Sequence, residues 1–196
     1  MRRLRILGLH GYHGSGALLR RQLAPLAERL DDIAEFDTPD APSLAAGDFG
    51  WWHGTFPGSR QQFSGWPLTL AWLESLPLTE FDGGLGFSQG AALAGLLAGL
   101  RNDLGFAVLI GGFVSPEPDH RSLYEGLSRS RVPSLHLIGV ADSIVVPAES
   151  LRLAEVFTDS VVAQHPGGHV IPAGPAAVDE ARRFLQRFQS NGDEDD

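Results

Sequence analysis

No cysteine occurs anywhere in the 196 residues. That excludes disulfides, thiolate metal sites and cysteine nucleophiles, although it does not by itself assign a compartment. Basic residues are scarce, 15 Lys and Arg against 24 Asp and Glu, for a formal net charge of −9. A nucleic-acid partner needs a clustered basic face that can release counterions, and an anionic membrane surface needs the same, so both are disfavoured. Long apolar runs are missing as well. Met1-Arg2-Arg3 resembles a basic leader, but the apolar stretch behind it stops at His10, too short for a signal core, and no other run reaches the length of a membrane span. The expectation is a soluble, cytoplasmic chain without a nucleic-acid partner and without stable membrane insertion.

With 43% hydrophobic residues the chain can bury a sizeable core, and its length suits one domain, expected over 1–189. Residues 190–196 are acidic with nothing to bury and are expected to be a disordered tail. Leu4 to Leu9 is apolar except for Arg5 and runs into His10-Gly11-Tyr12-His13-Gly14-Ser15-Gly16, which predicts a buried parallel strand feeding a glycine-rich turn. Leu19, Leu23, Leu26 and Leu30 then share a helical face, with Pro25 as an expected kink or restart. A strand near Ile33 to Phe36 completes a β-α-β unit. That layout also suits dinucleotide binding, but Gly11, Gly14 and Gly16 reverse the order of the fingerprint glycines, and the reading is set aside.

From Thr38 to Trp66 prolines, glycines and aromatics follow one another without helical or strand periodicity. Such a segment inside a small domain suggests function, and Trp51, Trp52 and Phe56 are candidate substrate-pocket residues, with core packing as the alternative. A helix is expected over Leu68 to Leu76, with Pro67 in its first turn. Phe106 to Ile110, Ser134 to Val140 and Val161 to Gln164 read as further strands, and a last helix starts at Pro175.

The stretch that orders the rest is Phe81-Asp82-Gly83-Gly84-Leu85-Gly86-Phe87-Ser88-Gln89-Gly90-Ala91-Ala92-Leu93. It predicts a strand, a G-x-S-x-G elbow and a small-residue helix over Gln89 to Leu100. Gly86 and Gly90 flank Ser88 where strand and helix must pass closely, and the turn lifts the serine hydroxyl clear as a nucleophile. Asp142 lies just beyond the Ser134 strand, where open α/β sheets collect functional groups, and is the candidate acid. His169, in His165-Pro166-Gly167-Gly168-His169, is the candidate base. Pro-Gly-Gly between the two histidines rules out the helical spacing of a zinc site, so no metal is expected. Serine, acid and histidine in loops after successive strands follow the chain order of an α/β-hydrolase triad. The backbone N–H groups of Tyr12, in the loop after the first strand, and of Gln89 are the candidate oxyanion hole.

The chain also resembles the FSH family of fungal and animal serine hydrolases over most of its length. The resemblance rests on the His10-Gly11-Tyr12 start, the Trp51-Trp52 pair, the run from Phe81 through GFSQGAAL, the loop from Gly139 to Pro147, and HPGGHVIP from His165. It implies a cofactor-free carboxylic-ester hydrolase in which Ser88, Asp142 and His169 are the triad. Gly84 departs from the family, which has a bulky apolar residue there, and the segment between Trp52 and the elbow is short. An acyl thioesterase or lysophospholipase would use the same triad, and a ligand-binding module could keep the fold without catalysis. The expected fold is an α/β-hydrolase sheet of about six mostly parallel strands, in order 2-1-3-4-5-6, with helices on both faces.

Overall fold

A computed structural model describes residues 2–45, 48–55, 62–101, 103–127 and 131–189. Phe56 and the acidic end at 190–196 lie outside the described residues. In chain order the elements are β1 (Leu4–Leu9), α1 (Gly16–Ala27), β2 (Ala34–Asp37), β3 (Ser43–Ala45), β4 (Asp48–Gly50), β5 (His53–Thr55), β6 (Gln62–Ser64), α2 (Trp66–Ser75) and β7 (Gly83–Phe87). There follow α3 (Gln89–Leu100), β8 (Ala107–Ile110), α4 (Arg121–Leu127), β9 (Ser134–Gly139), α5 (Pro147–Val156), β10 (Ser160–His165) and α6 (Pro175–Gln189).

Six strands form the central sheet in the order β10-β9-β8-β7-β1-β2, and every neighbouring pair is parallel. This is the expected order. β7, β8 and β9 are buried throughout, because a parallel sheet is covered on both faces. On one face Leu19, Leu23 and Leu26 of α1 join Val178, Ala181, Phe184 and Leu185 of α6 over Ile6, Leu85, Val108 and Leu135. On the other, Leu93, Leu96 and Leu97 of α3 pack over Leu7, Leu9 and Leu109, with Leu73 of α2, Leu127 of α4 and Leu153 of α5 outside them. α3 is buried from Gln89 to Ala98, which explains why its sequence is apolar on every side.

Two expectations are corrected. Pro25 does not restart a helix: α1 runs through it and stops at Ala27, so the proline sits in the last turn. The stretch from Thr38 to Trp66 is not without strands, since β3 pairs with β4 and β5 with β6 as two antiparallel hairpins of three-residue strands. Strands that short carry too few residues to show a period of two.

Candidate active site

β7 delivers Ser88 at the carboxyl edge of the sheet. Ser88 has φ 57° and ψ −118°, a left-handed φ that costs a non-glycine residue about 1–3 kcal/mol and persists where the surroundings over-determine it. Its N–H donates to the Ile110 carbonyl at 2.9 Å, and its own carbonyl accepts from the N–H groups of Ala91 and Ala92 at 3.0 and 3.1 Å, tying the turn to β8 and α3. A Cβ on Gly86 would stand 2.1 Å from the Gly90 carbonyl oxygen, and one on Gly90 2.0 Å from that of Leu9. Both glycines are therefore required by close approach. The loop after β1 crosses the turn too, since a Cβ on Gly11 would lie 3.3 Å from the Ser88 Cβ. Tyr12 follows Gly11 in this loop and Gln89 follows Ser88 at the start of α3.

Asp142 leaves β9 in a tight turn, its N–H donating to the Gly139 carbonyl at 3.1 Å. Its Oδ1 accepts from the N–H groups of Ile144 and Val145, both at 2.9 Å, and its Oδ2 lies 2.7 Å from His169 Nδ1. Burial alone would raise this carboxyl. The His169 bond and the two backbone donors outweigh that, and the group titrates below the ordinary aspartate range. A carboxylate accepts only, so Nδ1 carries a proton, and the neutral tautomer this selects has its lone pair on Nε2.

The loops after β9 and β10 are tied together, with Val140 N–H to the His165 carbonyl at 2.9 Å and Ala141 N–H to the Gly167 carbonyl at 3.2 Å. Phe87, immediately before the serine, packs against the His169 ring at 4.8 Å between centroids. Gly111, at φ 56°, leaves the ring room: a Cβ there would sit 3.2 Å from His169 Cε1. The structure thus brings Asp142 and His169 into contact and seats the imidazole on the residue next to Ser88. Among the described residues, no group of three or more His, Asp or Glu side chains is placed to hold a metal.

A cavity of about 440 Å³ opens at Ser88, walled by Phe113, Val114, Pro116, Ile144, Val145 and Glu149. None of these was singled out from the sequence, although apolar residues in loops just past strand ends are the available signal. The tryptophans are a correction in the other direction. Trp51 is fully buried and Trp52 is 3% exposed, both within the core around α3, and neither walls this cavity. An indole is stable when its ring is buried and its N–H is paired, and Trp51 meets both conditions by donating Nε1–H to the His10 carbonyl at 2.7 Å.

The sequence matches the serine hydrolase (FSH1) family over residues 1–181. The chain belongs to that family. This serine hydrolase is 33% identical over 216 residues to esterase OVCA2 of Xenopus tropicalis, an alignment covering 94% of this chain and 93% of the relative. Among solved structures it is similar to acyl-protein thioesterase 2 of Zea mays, with a TM-score of 0.68 at 19% identity over 95% of this chain and 94% of that one. Esterase PE8 is similar too, with a TM-score of 0.67 at 22% identity over 95% and 93%. At such identities the structural likeness establishes the fold of the hydrolase, an α/β-hydrolase sheet, and no more than the fold. No helix among the described residues is long and apolar enough to cross a membrane.

Proposed function

We propose that the hydrolase cleaves carboxylic esters through an acyl-enzyme on Ser88, with His169 as general base and acid and Asp142 as the group that orients it. The observation that carries this reading is the 2.7 Å contact between Asp142 Oδ2 and His169 Nδ1, beside a serine held at positive φ. Nε2 of His169 takes the Ser88 proton while Oγ bonds to the acyl carbon, and the carbonyl oxygen becomes an oxyanion facing the N–H groups of Tyr12 and Gln89. The bond to the leaving alcohol then breaks as His169 returns the proton to its oxygen. Water, deprotonated by the same Nε2, attacks the acyl carbon, and collapse of the second tetrahedral species frees the acid and restores the Ser88 hydroxyl. The apolar side chains of Phe113, Val114, Ile144 and Val145 suit a hydrocarbon acyl group in the cavity.

A fluorophosphonate probe tests the assignment. It is expected to label Ser88, and Ser88→Ala is expected to lose both labelling and turnover of aryl esters. Labelling at another residue, or activity retained in Ser88→Ala, would refute it. Matched oxygen-ester and thioester donors of one acyl group, run on the wild type, measure which leaving group the site prefers.

A further inference from the structure

Gln89 offers two groups to the chemistry. Its backbone N–H belongs to the proposed oxyanion hole, while its side chain turns inward and is buried. There Oε1 accepts the Trp51 N–H at 3.1 Å and Nε2 donates to the Trp52 carbonyl at 2.7 Å. One acceptor and one donor facing an N–H and a C=O of consecutive residues is a pattern that a carboxamide matches and a carboxylate cannot.

The bonds continue from there to the other side of the serine. Trp51 donates Nε1–H to the His10 carbonyl, and its ring packs on the His10 ring at 4.9 Å. The Ala41 N–H donates to His10 Nε2 at 3.0 Å, which makes Nε2 the bare nitrogen and Nδ1 the protonated one. Nδ1–H then donates to the Gly11 carbonyl at 2.7 Å, where the Gly14 N–H also donates at 3.1 Å. Burial lowers the His10 pKa, keeping the ring neutral as this pattern requires. The Gly11 carbonyl and the Tyr12 N–H belong to one planar trans peptide and point in opposite directions, so two donors on the carbonyl also set the direction of the N–H.

We propose that the Gln89 side-chain amide is a positioning residue that couples the two oxyanion donors: through Trp51 and His10 it sets the direction of the Tyr12 N–H relative to its own backbone N–H. This rests on the catalytic reading of Ser88 above. It adds a role for a side chain whose backbone alone that reading uses, and it accounts for the buried Trp51 that the catalytic cavity does not touch.

The test compares Gln89→Glu, which sets a carboxylate oxygen against the Trp52 carbonyl, with Gln89→Leu, which removes both bonds, and Trp51→Phe, which removes the indole N–H together with part of the ring but keeps the backbone N–H that Gln89 accepts. Each keeps the backbone N–H of residue 89. Loss of an oxyanion donor costs about 10²–10³ in kcat, and misdirecting one is expected to cost about tenfold to a hundredfold. KM should stay within about twofold, and the pH profile of kcat/KM should not move. Inhibition by a trifluoromethyl ketone, which forms an oxyanion on Ser88, should weaken in step with kcat, while inhibition by the carboxylic acid product holds. Gln89→Leu combined with Trp51→Phe should be little worse than the poorer single variant, because both cut one chain of contacts. Wild-type kcat in both Gln89 variants, additive losses, or product binding that falls along with kcat would overturn the inference while leaving Ser88 in place. If the Gln89 variants do not fold, Trp51→Phe decides the matter by the same readouts. Activity surviving in Ser88→Ala would instead overturn the catalytic reading, and this inference with it.

Discussion

Acidification from pH 7 to 4 should destabilise the hydrolase well before its carboxylates titrate. His120 and His136 are almost wholly buried, and desolvation of the charged imidazolium pushes each from 6.5 to about 4. In the unfolded chain both take up a proton near pH 6.5, while in the native state both stay neutral to about pH 4. The unfolded state thus binds more protons throughout that window, and stability falls as pH falls across it. A pKa unit is worth about 1.4 kcal/mol, so the two histidines together account for about 6 kcal/mol between pH 7 and pH 4, with a slope near pH 5 of about 2 kcal/mol per pH unit. His10, His53 and His165 are lowered by burial too and act with the same sign. Glu117, raised by burial, acts against them. The depressed carboxylates Asp82 and Asp142 contribute stability above the unfolded aspartate value that is lost only at lower pH, as each falls through its native value.

Urea unfolding followed by tryptophan fluorescence at pH 7, 6, 5 and 4.5 measures the effect, since Trp51 and Trp52 report the core. His136→Leu should remove about half of the slope. The Leu side chain suits a site packed on Phe157 and beside Leu109 of the neighbouring strand, both in the apolar core of that face, and the Ser134 hydroxyl still reaches the Asp159 carbonyl. A stability that is level from pH 7 to 4.5, or an unchanged slope in His136→Leu with a compensating loss below pH 4, would refute the assignment to buried neutral histidines.

Asp142→Asn should lower kcat by up to about 10⁴, because an amide NH₂ facing Nδ1 favours the tautomer whose Nε2 is protonated and cannot accept; a loss below about tenfold in steady-state kinetics would point to another carboxylate. Trp51→Ala should cost about 3–5 kcal/mol in thermal or urea unfolding and weaken turnover of short and long acyl esters together, as a core residue does. Gly84→Ala should stabilise by about 0.4–1 kcal/mol, since a Cβ there meets nothing nearer than 4.0 Å, while Gly83→Ala should destabilise, since its Cβ would lie 2.5 Å from the Phe106 ring; equal Tm shifts in the two variants would contradict the packing. In a chain-length series of aryl esters, each methylene held by the cavity is expected to raise kcat/KM about fourfold, from about 0.8 kcal/mol of burial, and Phe113→Ala should flatten that rise.

Much of the fold was legible because the signals are local. A strand covered on both faces is a run of apolar residues, as in Leu4–Leu9 and Ala107–Ile110, and such runs separated by helical repeats leave few sheet orders open. The elbow was legible for a similar reason: Gly86 and Gly90 are required by contacts within five residues of each other and with the neighbouring strand, and a missing side chain is visible in the sequence. The chain order of Ser88, Asp142 and His169 pointed to one edge of a parallel sheet.

What the sequence by itself determined, then, is what depends on neighbours along the chain: strand and helix character, the strained turn at Ser88, and a family membership carried by short motifs. Only the tertiary structure decided which face each aromatic meets. Trp51 and Trp52 are as apolar in a cavity wall as in a core, and no spacing distinguishes the two. The difference arises from partners far along the chain, the His10 carbonyl for the Trp51 indole and His120 for the Trp52 ring. The walls of the Ser88 cavity come from two segments some thirty residues apart, the loop from Phe113 to Pro116 and the stretch from Ile144 into the first turn of α5 at Glu149, and neither stands out in the sequence. Their common surface exists only once β8 and β9 lie side by side, because parallel strands bring the loops at their carboxyl ends to the same edge.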